Sequence, residues 1–76
     1  MIAHIKGKIL EKNTKFLVVE ANDLGYLVFV STGTLSSSPS VGGEISLWTY
    51  LAVRENALDL YGFETIDEKN FFELLI

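Results

Sequence analysis

The 76-residue sequence predicts a mainly β fold: five strands closing into a small Greek-key barrel, followed by a short C-terminal helix. Three observations predict it. Residues 2–63 hold runs rich in β-branched and aromatic residues, parted by polar turn signals. One longer polar break, residues 32–43, contains the single proline and three of the six glycines, as a crossover between sheet regions would. Past residue 63 the apolar pattern leaves the alternation of a strand for the spacing of a helix.

The elements follow in order. In the first strand Ile2, His4, Lys6 and Lys8 alternate with Ala3, Ile5 and Gly7, and Ile9 and Leu10 lead to the turn Glu11-Lys12-Asn13-Thr14. Gly7 inside this run marks a bulge or a tight bend. Lys15–Ala21 (KFLVVEA) forms the second strand. Asn22-Asp23-Leu24-Gly25 then supplies a hairpin turn, with Gly25 free to take positive φ. Tyr26–Ser31 (YLVFVS) returns as the third strand, and Thr32–Gly43 (TGTLSSSPSVGG) crosses over as a loop with room for one helical turn. Glu44–Val53 (EISLWTYLAV) and Ala57–Phe63 (ALDLYGF) are the fourth and fifth strands, joined through Arg54-Glu55-Asn56. A meander plus a crossover of this size matches a Greek-key barrel of the OB type.

The tail opens on Thr65-Ile66-Asp67-Glu68, a capping-box pattern in which the Thr65 hydroxyl accepts the Glu68 N–H while Glu68 reaches back. Asp67 and Glu68 also suit the positive end of the helix dipole. Phe71, Phe72, Leu74, Leu75 and Ile76 then crowd together with no helix-stopping signal. This favours residues 1–63 as the barrel domain and 64–76 as the first helix of a truncated second domain. The competing arrangement is a terminal helix docked on the barrel.

Composition narrows the function. No cysteine and a single histidine exclude disulfides and a Cys/His zinc site. Hydrophobic residues make up 49% of the chain and mean hydropathy is +0.31, so a small domain without a covalent staple is expected to have a partner. The apolar runs are too short to span a bilayer, and the N-terminus lacks a signal-peptide pattern, so a cytoplasmic chain is expected. His4 has no cysteine or motif serine to activate, and Gly42-Gly43-Glu44 lacks the lysine of a phosphate loop. Neither enzyme chemistry nor a cofactor or metal is expected.

A net charge of −4 and an isoelectric point near 4.7 argue against a general nucleic-acid glove. Lys6, Lys8, Lys12 and Lys15 do cluster near the start, where they read as a solvated strand edge that blocks aggregation. Trp48, Tyr50, Tyr61, Phe29 and Phe63 have the chemistry of a base-stacking platform. Arg54 and Lys69 are the only cations in the second half, so packing is the favoured role for these rings. Trp48 and Tyr50 share a strand face with Ser46 and Ala52, a candidate partner surface.

Over Tyr50–Phe63 (YLAVRENALDLYGF) the sequence resembles the N-terminal domain family of the RuvA proteins, which bind Holliday junctions in bacteria. Val53-Arg54-Glu55 and Leu60-Tyr61-Gly62-Phe63 are the specific part; MIAHIKGKILEKN, Gly25–Val30 and FFELLI extend it over nearly the whole chain. The resemblance implies an OB-type first domain, followed in these proteins by a helix-hairpin-helix domain that grips DNA and a third domain that engages a RuvB-type ATPase. It further implies a homotetramer holding four-way junction DNA open during recombination and repair, with a RuvC-type resolvase as a further partner. In this family the hairpin between the last two strands is an acidic pin of two adjacent carboxylates preceded by arginine. Arg54 and Glu55 match that pattern, whereas Asn56 replaces the second carboxylate and halves the formal charge at the tip. Without the resemblance, Glu55-Asn56 reads as a polar turn. The module then reads as an OB-fold assembly domain without nucleic-acid contact, or as an ordinary OB binder of single strands or oligosaccharides.

Overall fold

The computed structural model describes residues 2–76, and at Arg54 the backbone alone. The chain forms β1 (His4–Lys12), β2 (Phe16–Ala21), β3 (Leu24–Phe29), α1 (Thr32–Ser37), β4 (Glu44–Arg54), β5 (Ala57–Phe63) and α2 (Ile66–Leu75). The strands close a barrel in the order β1-β2-β3-β5-β4, with β3 and β5 parallel and the other neighbours antiparallel. Mainly β content, closure and a following helix agree with the OB-type barrel read from the sequence.

Period-2 alternation builds the core. Ile5, Ile9, Leu17, Val19, Val28, Leu47 and Leu60 point inward and are buried. Each such side chain contributes about 1.5–3 kcal/mol through removal from water. Thr49, also buried, donates its hydroxyl to the Ile2 carbonyl at 2.8 Å, which removes the cost of a polar atom among aliphatic groups.

Closure requires β1 to serve two partners. His4–Lys8 pair with β4, and Lys8–Lys12 pair with β2. Gly7 sits where the two ladders meet: a Cβ there would lie 2.0 Å from the Glu20 carbonyl oxygen. The tight bend expected at this glycine is a close approach of backbones, and the bulge falls further on, between Ile9 and Glu11. Strand β1 also takes in Glu11 and Lys12, leaving a turn at 13–15 closed by the Asn13 N–H donating to the Phe16 carbonyl at 2.9 Å.

A further expectation is corrected. The β2–β3 turn is the pair Asn22-Asp23, with φ of 52° and 65°, between the paired residues Ala21 and Leu24. Left-handed residues at both turn positions match the right-handed twist of the strands, so Gly25 stays in β3 opposite Glu20. Of the lysine cluster, Lys6 lies on the half of β1 that pairs with β4, Lys12 on the half that pairs with β2, and Lys8 where the two ladders meet. Lys6 forms an exposed ion pair with Glu44 at 3.6 Å, a contact largely screened by water.

The crossover contains α1, capped by the Ser31 hydroxyl accepting the Thr34 N–H at 3.2 Å, with Leu35 packed against the core. Gly42 takes φ 97°, and Gly42 and Gly43 exchange backbone bonds with Ile9, tying the loop to β1. At α2 the Thr65 hydroxyl accepts the Glu68 N–H at 3.2 Å, as the capping pattern predicts. The Glu68 carboxylate receives the Thr65 hydroxyl at 3.4 Å.

Candidate nucleic-acid interface

The strands β4 and β5 pair from Trp48↔Phe63 out to Arg54↔Ala57, leaving Glu55-Asn56 as a two-residue turn. The β1–β4 ladder ends at Trp48, so the outer half of β4 has β5 as its ladder partner. A ladder needs only one neighbouring strand, whereas burial needs a second layer above it. The inward-facing side therefore loses cover toward the tip: Leu60 is 7% exposed, but the next inward pair, Val53 and Leu58, is 69% and 68% exposed.

This places the residues expected from sequence. Glu55 and Asn56 sit together at the exposed tip, one step beyond Val53 and Leu58. Arg54 is the last residue of β4, and its side chain lies outside the described residues. The tip presents one carboxylate to solvent, a hard anionic point at the end of a narrow two-stranded arm.

The aromatic residues have a different fate. Phe72 of α2 meets Tyr50, Tyr61 and Phe63 at ring-centre distances of 5.7, 5.3 and 5.1 Å. Phe29 continues the row to Tyr61 at 5.7 Å and to Phe16 at 6.3 Å. Trp48 packs edge-on to His4 at 4.9 Å, while His4 Nε2 lies 2.8 Å from the Ser46 hydroxyl. Packing is thus what these rings do, and the Tyr50 part of the candidate partner face is covered by the helix of this same chain.

The other apolar residues of the tail stay bare: Phe71, Leu74, Leu75 and Ile76 are 63%, 82%, 69% and 67% exposed. Between the helix and the barrel lies a pocket of about 370 Å³, bordered by Lys15, Phe29, Tyr61, Phe63 and Phe72. Sequence reasoning missed both the anchor role of Phe72 and the uncovered Val53–Leu58 pair. The aromatic Phe71-Phe72 doublet was a signal that something docks, without saying which ring turns inward. Among the described residues, no group of His, Cys, Asp or Glu is arranged to hold a metal ion, and no helix is long and apolar enough to cross a membrane.

Comparison with known proteins bears on this hairpin-bearing barrel. Residues 1–62 match the sequence model described as the RuvA N terminal domain. Over all 76 residues the chain is 49% identical to the Holliday junction branch migration complex subunit RuvA of Acetivibrio thermocellus, covering 38% of that protein. It is 46% identical to the RuvA of Halorhodospira halophila, covering 37%, and 43% identical to that of Chloroherpeton thalassium, covering 38%. The chain spans well under half the length of these relatives. With the closed barrel and the matching residue span, the chain belongs to the RuvA N-terminal domain family.

Proposed function

We propose that this chain is the first domain of a Holliday-junction-binding subunit in a branch-migration complex, with the β4–β5 hairpin serving as a pin at the crossing strands. One observation supports the reading above all: the exposed Glu55-Asn56 tip stands on an arm that outruns the barrel, in a chain of this family. The domain is non-catalytic. It helps to assemble a homotetramer around four-way junction DNA in the cytoplasm. Later domains of the full-length protein provide the DNA grip and the contact with a RuvB-type ATPase, and a RuvC-type resolvase acts on the same junction.

The acidic balance of the chain fits this division of labour. Carboxylates facing phosphates repel them, and screening is incomplete within a Debye length of about 8 Å at physiological salt. Four copies of Glu55 around a symmetric centre keep the crossing backbones apart while the strands move. Asn56 shapes the turn without adding charge, and Arg54, by its place beside the tip, offsets part of the repulsion at a phosphate.

The test is electrophoretic. In a full-length protein carrying this domain, Glu55→Gln tightens binding to a synthetic four-way junction several-fold at low salt and alters the migration rate. Unchanged affinity and migration across a salt series would remove Glu55 from the pin. The 76-residue chain alone is expected to bind junction, duplex and single strand weakly or not at all, and tight single-strand binding by it would overturn the assignment.

A further inference from the structure

Strands β4 and β5 carry the Glu55-Asn56 tip at one end and the seat of α2 nearer the root. Tyr50 and Tyr61 are cross-strand partners on this ladder, as are Trp48 and Phe63. Phe72 sits against Tyr50, Tyr61 and Phe63, so α2 docks on the same two strands that run out to the tip. Among the described residues, the other apolar side chains of α2 and its tail are exposed, and Phe72 alone is half-buried. A ten-residue helix is marginal by itself in water, so its placement depends on that one ring. Only Glu64 and Thr65 separate β5 from α2. Thr65 is held as the helix cap, and Glu64 accepts a hydrogen bond from the Ser37 hydroxyl of α1. So short a link leaves α2 little freedom except to swing. Phe72 lies seven positions beyond Thr65, about 10 Å along the helix axis, and blocks that swing.

We infer that Phe72 is a positioning residue for the pin: it fixes α2, and in a full-length protein whatever α2 leads into, at one angle to the β4–β5 hairpin. The inference rests on the pin reading and adds what aims the pin. A tip that acts by repulsion works only where it faces the phosphates, because the interaction fades over a Debye length of about 8 Å. Glu55 lies five residues beyond Tyr50, about 17 Å away along an extended strand. At that reach a tilt of about 10° carries the carboxylate about 3 Å, more than a third of the screening length. Aromatic contacts suit the task of preventing such a tilt, because their preferred geometries are few. Phe72 touches rings on both strands and so holds the helix against β4 and β5 together. The pocket of about 370 Å³ beside it shows that α2 does not lie flat on the barrel, which leaves the ring without a substitute.

The chain has no cysteine, so two introduced ones take spin labels selectively: Asn56→Cys at the tip and Asn70→Cys at an exposed position of α2. Distance measurement between the labels on the 76-residue chain should give one narrow distribution. Phe72→Ala is expected to widen it at least about twofold, as a helix freed from its anchor would, while the amides of β2 and β3 stay protected from hydrogen exchange. Phe72→Leu, gentler on folding, should widen it in the same direction. Phe72→Tyr, which keeps the ring, should restore the narrow distribution. A wide distribution in the parent, or a narrow one in both the alanine and leucine variants, overturns the inference. In a full-length protein carrying this domain, Glu55→Gln should lose most of its effect on junction affinity when combined with Phe72→Ala, although residues this far apart ordinarily act additively. An undiminished effect overturns the positioning role as well. Failure of the pin reading is recognised separately: Glu55→Gln alone then changes neither affinity nor migration, and the label distances still decide whether Phe72 sets the angle of α2.

Discussion

Two hairpins of this barrel share a plan and differ in outcome. Strands β2 and β3 join through Asn22-Asp23, and strands β4 and β5 through Glu55-Asn56, each a two-residue turn on an antiparallel ladder. In the first, Leu17, Val19 and Val28 face the core and are fully buried. In the second, burial fails along the arm, from Leu47 and Thr49 at its root to Val53 and Leu58 near its tip. Pairing is therefore no guide to what a hairpin contributes. The β2–β3 hairpin spends its apolar face on stability, while the β4–β5 hairpin keeps part of that face and a carboxylate outside the barrel.

Leu17→Ala gives the widest separation between the two. It is expected to cost about 2–5 kcal/mol in urea unfolding, because a fully buried leucine leaves a cavity on truncation. Leu58→Ala should cost no more than about 0.5 kcal/mol, the usual range for a surface change. Similar losses for the two would break the contrast.

The turns supply an intermediate effect. Asn22 holds a φ of 52°, so Asn22→Ala should cost about 1–2 kcal/mol by forcing a Cβ-bearing residue without a compensating side-chain bond into the left-handed region. Asn22→Gly should restore most of that loss. If alanine proved neutral in the same unfolding measurement, the turn would contribute nothing to how this hairpin is held.

The smallest structural effect is expected from Asn56→Asp, within about 0.5 kcal/mol of the parent in stability. Its readout is binding instead. A second carboxylate at each tip should weaken junction affinity at low salt, and the two proteins should converge as salt rises and the Debye length shrinks. Equal affinity at low salt would show that charge at position 56 is not felt by the junction.

Much of this was legible in the chain. The alternation in Phe16–Ala21 and Glu44–Val53, the polar turns and the Thr65 cap all act between residues close in sequence, and the structure has them where expected. The sequence points to the right stretch for the β2–β3 turn, but glycine chemistry points to Gly25 for the left-handed backbone that Asn22 and Asp23 adopt. Glycine has the freedom to adopt positive φ, yet the strand twist selects which positions need it, and that depends on the register of two strands. Glu55 and Asn56 are candidate pin residues by resemblance alone, and their exposure follows from the barrel around them.

Periodicity, turn chemistry and capping are local, so the succession of strands, the neighbourhood of each turn and the start of α2 are readable from the chain alone, although β1 runs on into Glu11-Lys12 and β3 starts at Leu24. The remainder rests on contacts between distant residues. The tertiary structure brought Val28 beside Leu60 to close the barrel through a parallel pair, pressed Gly7 against the Glu20 carbonyl, and turned Phe72 rather than Phe71 onto Tyr50, Tyr61 and Phe63. It also left Val53 and Leu58 uncovered. Alternation tells which side chains share a face. Whether a second layer covers that face depends on contacts between residues far apart in the chain, and at the outer half of the β4–β5 arm that layer is missing.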